Sequence, residues 1–162
     1  DILNYSGVLT VDNSTFLNNG SYGINVITQY SNGATVSVTD SVFGGHTQNE
    51  AYLFGAIDFI NSGNTSSGTS RGFLFYGGSP TSVMTWNPGV PFVTYSIYVS
   101  SGSVLNINPG VVVKMLYGSD FAPGLMNVAG SVNVKGLPWK KSMTRTDFIW
   151  FAQLMKELRM KV

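Results

Sequence analysis

The sequence predicts an all-β fold, a parallel β-solenoid of about five coils over residues 1–138, on three observations. Short segments alternate apolar and polar residues, with β-branched residues in the apolar positions. Turn dipeptides containing Gly, Asn or Pro separate these segments. A pattern also recurs at offsets of 27 and 28 in the numbering, a period that suits one solenoid coil better than a sandwich of hairpins.

The clearest repeat lies near the amino terminus. The stretch "GVLTVDNSTFLNN" (7–19) aligns with "ATVSVTDSVFGGH" (34–46) at an offset of 27. The aligned pairs are Leu9 with Val36, Val11 with Val38, Asn13 with Asp40, Ser14 with Ser41 and Phe16 with Phe43. Because equivalent residues of a solenoid stack on successive coils, we expect Asn13 and Asp40 to form one step of a turn ladder. The same alignment places His46 on Asn19, which predicts an outward turn position for His46.

A second repeat appears in the later part of the chain. "GSV" at Gly102 recurs at Gly130, an offset of 28. Between them, "GSVLNINPGVVVKM" alternates, turns at Pro109-Gly110 and alternates again. This pattern predicts a scaffold element with Val111 and Val113 pointing inward and Lys114 at the outer rim.

Two stretches resemble a known family over about residues 5–137. "LTVDNSTFLNNGSYGINV", and "SVLNINPGVVVKM" followed by "LMNVAGSVNVKG", are similar to coils of right-handed parallel β-helix proteins, the pectate-lyase-like superfamily. The resemblance implies a right-handed parallel β-helix in an exported or surface-displayed protein. It also implies a longer parent chain, of which these coils are a part.

The segment 139–162 differs in character. It carries six basic and two acidic side chains, a net charge of +4, whereas residues 1–138 carry three and six, a net charge of −3. Its apolar residues follow helical spacing and predict an amphipathic helix of about 16 residues. Three alternatives stay open: a cap on the last coil, an end not native to the fold, or a helix for a membrane surface or partner.

Composition limits the chemistry. The absence of cysteine excludes disulfides, thiolate nucleophiles and cysteine metal sites, and His46 is the single histidine. No apolar stretch is long enough for a transmembrane helix. We predict no metal or cofactor. We also predict no nucleic-acid partner, because residues 1–138 have a net negative charge and the net positive charge lies in the tail.

Two sets of side chains are candidates for function. Asp40, Glu50 and Asp58 would form the acidic set of a polysaccharide hydrolase or lyase if they converged within about 10 Å; otherwise they are turn residues. Aromatic rings are concentrated in the middle third, and Tyr52, Tyr95 and Tyr98 would stack on sugars. The primary prediction is a structural, adhesive or carbohydrate-contacting role, with polysaccharides or cell-surface glycans as partners; the enzyme is the alternative.

Overall fold

The computed structural model describes residues 7–28, 33–67, 71–116 and 125–135. These residues form strands, turns and bridges. Within these ranges the structure has no helix that is long and apolar enough to cross a bilayer. The predicted tail helix and the boundary at residue 138 lie outside the described residues.

The strands follow one another around successive coils. The first coil contains β1 (Gly7–Asp12), β2 (Thr15–Leu17) and β3 (Ile24–Ile27), and the second contains β4 (Ala34–Thr39), β5 (Val42–Gly44) and β6 (Ala51–Phe54). The third contains β7 (Ile57–Ser62), β8 (Thr65–Ser67) and β9 (Phe73–Gly78), and the fourth β10 (Val83–Trp86) and β11 (Phe92–Val99). The fifth contains β12 (Val104–Ile107), β13 (Val113–Met115) and β14 (Leu125–Val128), after which β15 (Ser131–Val134) begins another turn.

Strands from successive coils form three parallel sheets. Sheet A has the order β1-β4-β7-β10-β12-β15, and sheet B has the order β2-β5-β8. Sheet C has the order β3-β6-β9-β11-β13, with β14 also paired to β11. The predicted all-β parallel solenoid of about five coils is therefore confirmed.

Alternation explains which side chains enter the core. In β4, Ala34, Val36 and Val38 are buried, while the intervening Thr and Ser side chains are half-exposed. Val111 and Val113 pack against the core and Lys114 is exposed, as the sequence predicts. Aromatic rings fill the centre: Phe43, Phe59, Phe73, Phe75, Trp86 and Phe92 are fully buried, and the Trp86 and Phe92 rings stack at 4.4 Å.

Strand register tests the two sequence repeats. β1 pairs with β4 residue for residue at an offset of 27, and the aligned Phe16 and Phe43 rings stack at 5.2 Å, so the first repeat is confirmed. The strand alignment predicted from the second repeat is wrong by one residue, because Val104 pairs with Ser131 and not with Val132, the valine of the second "GSV". The reason is alternation: the buried Leu105 needs Val132 beside it on the inner face.

The corner between sheets A and B carries the expected ladder. Asn13, Asp40 and Gly63 occupy equivalent positions and have φ values of 44°, 46° and 63°. Side chains then link the coils: Ser41 Oγ accepts from the backbone N–H of Ser14 at 3.1 Å, and Asn64 Oδ1 accepts from that of Ser41 at 3.0 Å. The ladder satisfies backbone groups that the tight corner would otherwise leave unpaired.

Candidate functional site

The three carboxylates predicted as a possible acidic set lie on different parts of the coil. Asp40 sits at the corner between sheets A and B, Glu50 immediately precedes β6 of sheet C, and Asp58 lies in β7 on the outer face of sheet A. The hydrogen bonds of Glu50 and Asp58 go to different turns and share no partner. Among the described residues, no group of three or more His, Asp or Glu side chains is placed to hold a metal ion.

Glu50 is buried, with 3% of its surface exposed. Its carboxylate accepts hydrogen bonds from Ser66 Oγ at 2.8 Å, from the backbone N–H of Arg71 at 3.2 Å and from that of Gly72. Backbone N–H donors aimed at a carboxylate stabilise its charged form. Glu50 therefore holds the chain entering β9 in place.

Asp58 has a comparable function at another turn. Its two oxygens accept from the backbone N–H groups of Thr81 and Ser82, at 2.8 and 3.1 Å, and from both hydroxyls. Four donors occupy the acceptor positions that an attack on a glycosidic bond would need. The hydrolase or lyase with Asp40, Glu50 and Asp58 stays a prediction, and no contact of these side chains favours it.

Four tyrosines stack along the outer side of sheet C, and we call them the tyrosine ladder. Ring centroids are 5.1 Å apart for Tyr22 and Tyr52, 5.9 Å for Tyr52 and Tyr76, and 5.0 Å for Tyr76 and Tyr95. The Tyr52 ring thus contacts two other tyrosine rings, tilted by 39° against Tyr22 and stacked on Tyr76. Tyr52 and Tyr95, two of the predicted ligand residues, are members of this stack.

Tyr22 and Tyr76 are not among the ligand residues that the sequence predicts. Their spacing hides the ladder, because the four residue numbers differ by 30, 24 and 19 and match no fixed repeat. The coils themselves differ in length: Ala34 pairs with Ile57 at an offset of 23, and Val83 pairs with Val104 at an offset of 21. Only a sequence repeat pattern that allows the coil length to vary could align these rings.

Tyr98, the third predicted ligand residue, lies away from the ladder in a groove. The groove has a volume of about 570 Å³ and is bounded by the ends of β9 and β11 and the turns that lead into β10 and β12. We call it the serine groove; it is lined by Ser79, Thr81, Ser96, Tyr98, Ser100, Ser101, Ser103 and Asn127, together with Ala56, Gly77, Pro80 and Ile97. None of these lining side chains is charged.

A β-bulge decides that Tyr98 faces the groove. In β11, Phe92 and Thr94 point inward, and strict alternation would send Ser96 and Tyr98 inward too. The pairing of β11 with β9 shifts register on either side of Ser96, so that Ile97 and Val99 become the buried residues instead. Because a one-residue slip exchanges the two faces, Tyr98 is 49% exposed.

Several polar groups of the groove already have partners. The Ser79 and Ser100 hydroxyls lie 3.1 Å apart, Ser103 donates to the Pro80 carbonyl at 3.0 Å, and Thr81 donates to Asp58. Within the described ranges, four other groups form no hydrogen bond with another residue: the hydroxyls of Ser96, Ser101 and Tyr98 and the amide of Asn127. Tyr98 and Asn127 are paired neighbours on β11 and β14, strands about 4.8 Å apart.

A second cavity, of about 520 Å³, lies beside sheet B. It is lined by Leu17, Asn18, Gly44, Gly45, His46, Ser67 and Arg71. The predicted outward position of His46 is wrong: the side chain is 9% exposed and packs edge-on against Phe43 at 6.4 Å. Its Nδ1 accepts a hydrogen bond from the backbone N–H of Asn19 at 3.3 Å. The inward orientation therefore gives this N–H group of the neighbouring coil an acceptor.

The electrostatics of His46 follow from this position. Burial lowers the pKa of the imidazole below its ordinary value, and the negative charge of Glu50 opposes that shift in part. The neutral form, with Nδ1 as acceptor, is therefore the one that matches the hydrogen bond to Asn19.

Comparison of the chain with protein-family models, with curated proteins and with solved structures finds no match. The resemblance to the pectate-lyase-like superfamily therefore stays a prediction. The parallel β-solenoid is the level of classification that the structure establishes.

Proposed function

We propose that the chain is a carbohydrate-contacting part of a longer, exported or surface-displayed β-solenoid protein, and that the sugar lies in the serine groove against Tyr98. One observation supports this most directly. The groove places an exposed aromatic ring beside polar groups that have no hydrogen-bond partner in the described part of the chain.

The chemistry of the groove suits a sugar. A tyrosine ring presents an apolar face to the C–H face of a pyranose, and its phenol can bond a hydroxyl at the same time. Serine hydroxyls both donate and accept, and the Asn127 amide does the same through two atoms, which matches the groups on a sugar ring. A volume of about 570 Å³ is in the size range of small-ligand sites.

The rest of the surface is compatible with a structural or adhesive role. Charged residues make up 10% of the chain, so the polar side chains of the outer faces are mostly uncharged, and they lie beside exposed apolar residues such as Val8 and Val83. A rigid solenoid with such faces would hold a glycan-contacting groove at a fixed place along a surface protein.

Binding of oligosaccharides by the full chain tests the proposal. We expect at least one member of a glycan panel to bind, and Tyr98→Ala to weaken that binding by about tenfold, the effect of one lost ring contact. Ile60→Ala is the matched control, because Ile60 is 51% exposed on the outer face of sheet A, away from the groove. Equal binding by the Tyr98 variant and the unaltered chain would refute the proposal.

A further inference from the structure

We infer that the serine groove selects neutral sugars over acidic ones, an inference that rests on the proposed function and names the ligand class of the same site. The lining residues carry no Lys, Arg or His side chain that could pair with a carboxylate or sulfate group. An acidic sugar entering the groove would lose water from its charged group and receive no counter-ion in return.

A lining residue of the groove is hydrogen-bonded to a negatively charged side chain, Asp58. Thr81, a lining residue, donates its backbone N–H to Asp58 at 2.8 Å and also its hydroxyl. The carboxylate therefore sits directly behind one wall of the groove. Its field raises the free energy of a second negative charge at that wall, and this repulsion is stronger at low salt.

The hydrogen-bonding groups of the groove that have no partner in the described part of the chain also favour a neutral sugar. The hydroxyls of Ser96, Ser101 and Tyr98 are each donor and acceptor, and so is the amide of Asn127. Sugar hydroxyls have the same dual character and can satisfy both capacities. A carboxylate only accepts, so it would leave the acceptor side of these groups unused.

The second cavity provides an internal contrast. It contains the cation of Arg71 together with His46 and Ser67, and so it carries the positive group that the serine groove lacks. If the chain bound acidic sugars, this cavity would be the better place for the charge. Variants of Arg71 therefore separate the two locations.

The experiment titrates the full chain with two probes of equal length, a neutral glucose, xylose or mannose hexasaccharide and a galacturonic acid hexasaccharide, followed by NMR chemical shifts. We expect the neutral probe to bind with at least a tenfold lower Kd. Binding of the neutral probe should be insensitive to salt up to roughly 0.5 M, where surface charges are screened. It should be weakened about tenfold in Tyr98→Ala and unchanged in Arg71→Gln.

A charge placed at the rim makes the test reciprocal. Ser101 is exposed, so Ser101→Lys adds a cation without entering the core. We expect this variant to bind the acidic probe more tightly than the unaltered chain does, while the matched Ser101→Gln variant does not. No gain in Ser101→Lys would contradict the electrostatic basis of the selection.

The outcomes distinguish the inference from the function on which it rests. Acidic binding that equals or exceeds neutral binding and depends on Tyr98 would overturn the inference and leave the carbohydrate role intact. Acidic binding that depends on Arg71 and not on Tyr98 would likewise overturn it, by placing recognition in the second cavity. If neither probe nor any panel glycan shows Tyr98-dependent binding, both the inference and the proposed function fail.

Discussion

At the scale of single residues, the carboxylate of Glu50 shows how a buried charge can be structural. Two of its three donors, the backbone N–H groups of Arg71 and Gly72, belong to the chain that enters β9, and the third is the hydroxyl of Ser66 in β8. The acidic group is thus part of the turn.

Replacement of this carboxylate tests that role. We expect Glu50→Gln to lower the free energy of unfolding by about 2 kcal/mol, because an amide offers one acceptor and turns a donor toward the N–H groups of Arg71 and Gly72. Urea unfolding measures the change. Asp12→Asn is the control, since the exposed Asp12 accepts a single hydroxyl bond, from Thr39; equal effects in the two variants would contradict the anchoring role.

His46 links stability to pH. Its pKa is lowered in the folded chain by burial, so the unfolded chain, with an ordinary value near 6.5, binds the proton more readily. The stability contributed by neutral His46 is therefore complete above pH 6.5 and is lost as the pH falls through the lowered pKa of the folded state. Protonation also removes the acceptor for the N–H of Asn19.

The measurement is the free energy of unfolding between about pH 7.5 and 5, a window in which Asp and Glu are mostly ionised. We expect it to decrease on acidification, and we expect His46→Asn, which keeps an acceptor but does not titrate, to flatten the curve. Glu50 and Arg71, the charged residues near this side chain, are unchanged in the variant. Identical curves would mean that another group controls the response.

At the scale of elements, the corner ladder between sheets A and B depends on left-handed backbone. Gly63 and Gly102 both have positive φ, of 63° and 83°, but their surroundings differ. A Cβ at Gly63 would collide with Oδ1 of Asp40, whereas a Cβ at Gly102 would have no atom within 4 Å. The two glycines therefore separate backbone strain from the close stacking of coils.

We expect Gly102→Ala to cost about 1 kcal/mol of unfolding free energy, the usual cost of positive φ for a residue with a side chain. Gly63→Ala should cost at least about twice that, because Asp40 must also move. Thermal unfolding of both variants provides the comparison. Similar midpoints would indicate that the corner yields easily to the added methyl group.

At the scale of the whole molecule, coils are joined by parallel ladders and by one continuous core. Inner residues of the central coils are fully buried, whereas Leu9 and Phe16 in the first coil and Val128 and Val132 at the other end are only partly buried. In a solenoid, such terminal positions are protected by further coils or caps. The role of residues 139–162 is therefore a question about stability as well as about function.

Removal of the tail tests this. We expect residues 1–138 to give a β-sheet circular dichroism spectrum without a helical component, since the described strands all end before residue 136. A lower unfolding temperature or aggregation relative to the full chain would identify the tail as a cap, and equal stability would identify it as an addition to the fold. A helical spectrum from residues 1–138 would contradict the solenoid.

What the sequence determined by itself was the kind of fold and its inner faces. Alternation marked Val36, Val38 and Val113 as core residues, and the amino-terminal repeat placed Phe16 on Phe43. These features are local, because a strand shows its two faces in the order of its own residues. They could be predicted without knowing which coil lies next to which.

Only the tertiary structure decided the candidate site. Unequal coil lengths assembled the tyrosine ladder, and the bulge in β11 turned Tyr98 outward beside Asn127. Donors from the next coil form hydrogen bonds with the carboxylates of Glu50 and Asp58. These bonds could not be inferred from the type or the spacing of the two acidic residues. The physical reason is that register and hydrogen bonding between coils depend on residues distant in sequence, and a shift of one residue exchanges the inner and outer faces.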